Sequence, residues 1–486
     1  MPLHRVFFYL TVLLLPTQLG KHFFPDWALV LGRRLDYLSP TIFLTDITIM
    51  LTLASWFFSS FSSFKIKNYW KFVAFVGFVV LNIFFAASPL VAFSKWLKVL
   101  EFVLFGFYIV KTKPSFSRSL WCLSFAVFYS SIIAIAQFFL QHSVGGLLWF
   151  LGERTFDITT PGIARIQLIP SSLFLIPASE LLRPYATFPH PNVLGGFLAV
   201  FLPLIIFNNM TPLFNKLLLS QRVKRLSLVD KAKPWAQRTI GSLKLFRVST
   251  IILGCSALIL TFSRSAWIAF IVLFIVLKIT CSPKPWRRWE NWNFISNFKS
   301  LARFDLRRCF VDARRVGLLA RRLVRRSLGE GGSLGVGGVV LVGLIGLFFV
   351  LPYFQTLTPK SESVYVRNEL SNAAISIWKT SPIIGVGLGN FLVELPKYYP
   401  HREIFFLQPV HNIYLLILSE TGIIGLGMVL YLFLKIFKHR ARKHLFDIYH
   451  LSFVILLLLG VVDHYPLTLQ QGQLLLTFFF SYSLIK

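Results

Sequence analysis

Apolar runs of about 20 residues, repeated from one end of the chain to the other, decide what this sequence can fold into, because each approaches the length that crosses a bilayer. They cover roughly 6–20, 41–62, 69–87, 91–111, 119–140, 193–208, 249–263, 266–280, 336–353, 412–434, 447–463 and 469–485. In hydrocarbon a single segment must satisfy its own backbone hydrogen bonds, which a helix does and an isolated strand does not. The reading is therefore all-α: a polytopic membrane protein of about twelve transmembrane helices, one integral membrane domain over 1–486. Composition agrees. Hydrophobic residues fill 55% of 486 positions and mean hydropathy is +0.68, more than a water-facing exterior carries. Arg5 followed by VFFYLTVLLL resembles the charged and apolar parts of a signal peptide. No small-residue cleavage site follows, so an uncleaved first span is expected.

A formal net charge of +31 would point to nucleic acid if it were spread over a soluble surface. It is gathered between the apolar runs instead, as cationic loops held on the cytoplasmic side, and no nucleic-acid partner is expected. Lys65, Lys67, Lys111, Lys113, Arg118, the 209–248 loop, the basic 281–335 loop and Lys435–Lys443 then lie inside with both termini. In 281–335, Trp, Phe and Leu recur at helical spacing among Arg residues, the pattern of a helix lying on the membrane surface. Gly329–Gly338 reads as a joint into the next span. The extracytoplasmic side keeps two long segments, 141–192 and 354–411, expected to contain short helices. Cys122 and Cys255 fall in spans, Cys281 and Cys309 in basic loops, and none has metal-ligand spacing or an outside pairing partner.

Five places on the outer side could carry chemistry. Arg264 in TFSRSAW stands between two apolar stretches, where an arginine must face a cavity, a partner or the interface. Arg367 opens RNELSNAAISIWKTSPIIGVGLGNF. In PVHNIYLLILSETGIIGLG, His411 and Asn412 sit at the mouth of a span with Glu420 about two turns deeper. Arg183, His190, Pro191 and Asn192 share RPYATFPHPNVLGG, and Asp463 and His464 share GVVDHYPLT. The plain alternatives are a snorkelling arginine, an ordinary loop arginine and a structural histidine. A neutral imidazole beside arginines is what a general base near an anionic substrate needs. No Asp-x-Asp or H-E-x-x-H pattern marks a metal centre, so no metal or other cofactor is expected.

The order TFSRSAW, an Arg followed by W-x-x-x-P-x-x-G-V-G-x-G-N-F, then VHNIYLLILSETGIIG resembles the O-antigen ligase and Wzy-type polymerase family of bacterial envelope glycosyltransferases, most clearly over 183–434. The resemblance implies a protein of the bacterial plasma membrane, active on its outer side. It implies transfer of a glycan from an undecaprenyl diphosphate-type carrier to a hydroxyl on a glycan, a lipid core or a protein. Carried over, Arg264 and Arg367 bind the donor diphosphate, for which a guanidinium fork is suited. His411 takes the acceptor proton, and Asn412 and Glu420 orient it, with Arg183, Asn192, Asp463 and His464 in support. The other readings are a polysaccharide polymerase and, from another class, a lipid-linked oligosaccharide flippase or transporter. Asp46, Lys98, Glu101 and Glu420 would be the coupling charges of a transporter.

Overall fold

The fold follows from the apolar runs. A computed structural model describes residues 1–59, 69–168, 179–220, 234–280, 362–398, 407–441 and 448–485. Helices Leu3–Leu13 (α1), Leu44–Ser59 (α2), Tyr69–Phe84 (α3), Pro89–Thr112 (α4) and Phe116–Leu140 (α5) form the first half. Pro191–Ser220 (α6), Pro234–Leu260 (α7), Arg264–Thr280 (α8) and Glu362–Thr380 (α9) follow. The short Phe391–Glu394 (α10) precedes Ile413–Ala441 (α11), Ile448–Leu459 (α12), Tyr465–Thr468 (α13) and Gln470–Leu484 (α14). The closest packing joins α1 with α2, α5 with α7, α6 with α8, and α4 with α14. Between these layers lies one continuous core that includes Phe105, Tyr108, Phe197, Phe201, Trp267 and Phe478.

Two described helices, Phe116–Leu140 and Ile413–Leu434, are long and apolar enough to cross a membrane on those grounds alone. Others are apolar but shorter, such as Leu44–Ser59 and Pro191–Phe207. Pro89–Thr112 has the length, but carries Lys95, Lys98 and Glu101. The expected span at 336–353 and the basic 281–335 loop, with its glycine joint, Cys281 and Cys309, lie outside the described residues. The outer surface of α2 to α4 supports a lipid environment: Met50, Phe58, Trp70, Val80, Phe84 and Val103 are all exposed. In water so large an apolar face would be a binding or aggregation surface, whereas in a bilayer it meets its own kind. Polar side chains inside the helices are satisfied locally. Thr52, Ser124 and Ser131 each donate to the carbonyl four residues back.

The described chain is mostly helical, as expected, with a few short strands between the helices. The first helix stops at Leu13 rather than near 20, and the chain then builds two small antiparallel ribbons. Gly20–His22 (β1) pairs with Thr41–Phe43 (β4), and Leu29–Val30 (β2) with Arg33–Arg34 (β3). Pro16, Pro25 and Pro40 in this stretch cannot donate to a helical ladder. The 141–192 loop holds a short 3-10 helix, Gly146–Leu151, and a hairpin of Arg165–Leu168 (β5) with Ser179–Leu182 (β6). In 354–411, α10 is short as expected, but α9 runs for 19 residues.

The glycine-rich stretch after Pro382 is a backbone plug set against a break in α11. Gly422 there has φ 63° and ψ −169°, a conformation essentially reserved for glycine. A Cβ at Gly422 would lie 2.3 Å from the Ile383 carbonyl oxygen, and one at Gly385 2.3 Å from the Glu420 carbonyl carbon. Val386 and Gly387 N–H groups donate to the carbonyls of Ser419 and Glu420 at 3.0 Å, using acceptors that the break releases. Gly422→Ala is expected to cost about 3 kcal/mol or more through backbone strain and lost docking, read as a lower melting temperature of the detergent-solubilised protein.

Candidate functional site

Arg183, at the end of β6, fastens three chain segments together. Its Nε donates to the Thr261 carbonyl at 2.8 Å and its Nη2 to Asn192 Oδ1 at 2.7 Å. Asn192 in turn donates through Nδ2 to Asp463 Oδ2 at 3.3 Å. RPYATFPHPN, TFSR and DHYP, far apart in sequence, thus meet at one corner. The Gly195-Gly196 pair makes the approach possible. A Cβ at Gly195 would press on Thr261, Ser263 and Ala266, and one at Gly196 would lie 1.9 Å from the Tyr465 hydroxyl. Phe262 and Ala186 sit at φ 50°, strained for residues with a Cβ. Gln137 on α5 holds the second turn in place, with Oε1 accepting from the N–H groups of Tyr185 and Ala186 and Nε2 donating to the Ala186 carbonyl.

His411 reaches this corner because the start of α11 docks on the end of α12. The Ile413 N–H donates to the Gly460 carbonyl at 2.8 Å, and the Tyr414 hydroxyl to the Leu457 carbonyl at 3.1 Å. His411 Nδ1 then lies 3.8 Å from Asp463 Oδ1. Its ring stands 5.1 Å from that of His464. The first of these distances is too long for a hydrogen bond, and Nδ1 is buried with no hydrogen-bond partner among the described residues. Asn412 does something else: its Oδ1 accepts from the N–H groups of Tyr414 and Leu415, at 2.9 and 3.1 Å, as the N-cap of α11. That bond fixes the turn on which His411 stands.

Burial and fixed charge set the protonation of the cluster. Burial, with Arg183 nearby, pushes His190 down to about 3. Its Nδ1 lies 3.1 Å from the Asn192 N–H, so it is a neutral acceptor there. Burial lowers His464 to about 4 against the opposing pull of Asp463, and the neighbouring His411 ring and the Arg367 charge add to the lowering. The Asp463 carboxyl stays well below the ordinary carboxylate range. Burial opposes this, but the nearby imidazoles of His411, His464 and His190 outweigh it. Arg183 is lowered by burial to about 10 and stays charged near neutrality.

The two histidines give the stability a defined pH dependence. Their folded pKa values lie below the unfolded value of about 6.5, so below that pH the unfolded chain binds more protons and stability falls with pH. At pH 5 each contributes a loss of about 2 kcal/mol. The loss grows as pH falls and ends below their folded values. Melting temperature in detergent should therefore drop between pH 7 and pH 5, and by less in His190→Gln.

Of the remaining expected residues, Arg264 is exposed at the first turn of α8. It lies three residues beyond Thr261, whose carbonyl binds Arg183. Arg367 is exposed on α9, close enough for its charge to act on His464. Glu420 is not part of the cluster. It faces the glycine plug, accepting from the Phe391 N–H at 3.3 Å, and a Coulombic attraction links it to Lys95. Asp46 and Glu101 pair with Lys98 at 2.5 and 3.1 Å, which gives these intramembrane charges a structural account.

Two residues escaped the sequence reading. Tyr37, between the amino-terminal ribbons, sets its ring edge-on to His464 at 5.5 Å between centroids. Burial and the Asp463 charge push its hydroxyl up to about 12. Arg154 lies over the Tyr185 ring at 5.6 Å and donates to the Pro189 carbonyl at 3.3 Å. Nothing singles out one tyrosine among 15. Arg154, however, falls in the 141–192 segment expected on the outer side, the criterion that picked Arg367.

Beside the cluster opens a cavity of about 1720 Å³. Its walls are largely apolar, with Met50, Phe78, Phe102, Phe107, Leu432 and Phe453 among them, and Tyr37, Arg154, Pro189 and Thr468 line it next to the histidines. A largely apolar chamber beside the cluster suits a ligand with a long apolar tail.

No curated protein matches the chain. Residues 249–432, which contain Arg264, Arg367 and His411, match the family model described as O-antigen ligase.

Proposed function

We propose that this protein transfers a glycan from a lipid diphosphate carrier of the undecaprenyl type to an acceptor hydroxyl on the outer side of the bacterial plasma membrane, in the manner of an O-antigen ligase. The observation that carries this reading is the meeting of His411, Asp463, Arg183 and the Arg367 charge beside the largely apolar cavity. The lipid tail lies in the cavity and the diphosphate at its rim, within the field of Arg264 and Arg367. Arg154 is a third cation there. Both termini and the basic loops face the cytoplasm, which leaves these groups on the opposite side.

The reaction needs a base, a leaving group and a counter-charge. The acceptor oxygen attacks the anomeric carbon while His411 Nε2 takes its proton, and the bond from that carbon to the diphosphate oxygen breaks. The lipid diphosphate departs with the electron pair, its charge met by guanidinium groups. Asp463 faces the far nitrogen of His411 and stabilises the imidazolium that forms. A closure of less than about 1 Å brings them to hydrogen-bond distance, the adjustment that substrate binding often makes. Arginines supply the counter-charge that a metal ion supplies at other phosphate sites. Transfer is accordingly expected to persist in excess EDTA, and activity lost to EDTA and restored by magnesium would contradict this account.

A ligase and a polymerase leave different traces when removed. Loss of this protein should leave intact polymer on its lipid carrier, read by gel profile of lipid-linked and transferred glycans. Single repeat units attached to the final acceptor would identify a polymerase instead.

A further inference from the structure

The geometry points to a transition-metal site formed by His411, Asp463 and His464, at which a zinc-class cation blocks the base. Each of the three offers a ligand atom, and those atoms all lie within 4.8 Å of one another. The gap between His411 Nδ1 and Asp463 Oδ1, 3.8 Å, is too wide for a hydrogen bond. An ion about 2.1 Å from each atom would span it at an angle of roughly 130°, close enough to tetrahedral that a small closure suffices. His411 Nδ1 is the buried atom without a hydrogen-bond partner among the described residues.

The third ligand is prepared by its own hydrogen bonds. The Thr468 hydroxyl donates to the His464 carbonyl at 3.1 Å, so at the 2.7 Å contact His464 Nδ1 must be the donor. That leaves Nε2 with its lone pair free to bind a metal. Asn192 holds the second carboxylate oxygen of Asp463, the kind of outer support that orients a metal ligand. Two imidazoles and one carboxylate select zinc, nickel or copper over magnesium or calcium. The positive charges of Arg183 and Arg367 weaken the site relative to a structural centre.

Binding at His411 Nδ1 displaces the proton that this nitrogen carries in the active tautomer and leaves it on Nε2, so Nε2 has no lone pair to take the acceptor proton and the contact with Asp463 that the transfer reaction uses is lost. The inhibition rests on the transferase reading, whereas the binding does not. Zinc and cobalt titrations of the purified full chain in detergent, with no glycan donor, test the site. The wild type should take up one more equivalent than Asp463→Asn or His464→Gln, and its cobalt complex should show the visible absorption of a four-coordinate ion. A conservative His411→Cys variant should keep the equivalent and add a thiolate-to-metal band, which controls for variants that lose zinc only because they misfold. Equal stoichiometry in the wild type and both ligand variants overturns the site. Zinc that binds with this stoichiometry while transfer continues overturns the block.

Discussion

Replacing His411 with alanine is expected to lower glycan transfer by about 10²–10⁴-fold, the contribution of a positioned general base, with the protein level in membranes unchanged. The side chain carries little of the fold, since its Nδ1 has no hydrogen-bond partner among the described residues. The docking of its segment runs instead through the Ile413 N–H and the Tyr414 hydroxyl. His411→Gln should be nearly as inactive, because an amide neither accepts a proton near neutral pH nor presents a cation to Asp463. Transfer by His411→Ala at the wild-type rate would remove the base from the mechanism.

Arg264→Ala and Arg367→Ala form the second large effect. Each is expected to cost about 10²-fold or more in transfer, near 3 kcal/mol, because a charge that develops on a leaving diphosphate loses its counter-charge in a water-poor setting. Both side chains are exposed, so removing them should leave expression and melting temperature close to wild type. Lysine at either position should restore part of the rate, since it keeps the charge but loses the bidentate fork. Arg183→Ala is a different experiment. Its guanidinium is buried and tied to the Thr261 carbonyl and Asn192, so its loss should lower stability as well as activity.

The long helices were legible because a length and an apolar composition of the kind that hydrocarbon thickness demands can be read from a single sequence. Phe116–Leu140, Pro89–Thr112 and Ile413–Ala441 all lie where apolar runs had been expected. The amino-terminal ribbons were not. Strands of two or three residues are too short to show a period, and Leu14 to Phe43 read as the continuation of one span and the approach to the next. What the motifs do for one another was also hidden. His411 and Asp463 belong to different elements, and only the docking of Ile413 on Gly460 shows why they face each other. Tyr37 enters the cluster through a ribbon with no motif of its own. Asn412 and Glu420 had been read as groups that orient His411. Asn412 does so by capping a helix, while Glu420 serves the glycine plug, because the break at Gly422 turns the chain toward Pro382 and Gly385.

Movement of a glycan from a lipid diphosphate to a hydroxyl can be followed directly. Its most direct test is the full chain in proteoliposomes supplied with a lipid-diphosphate-linked glycan and an acceptor. Wild-type protein should convert donor to glycosylated acceptor with release of one lipid diphosphate per glycan transferred, and His411→Ala should not. Donor that crosses the bilayer chemically unchanged, with no lipid diphosphate released, would contradict the account and favour a transporter.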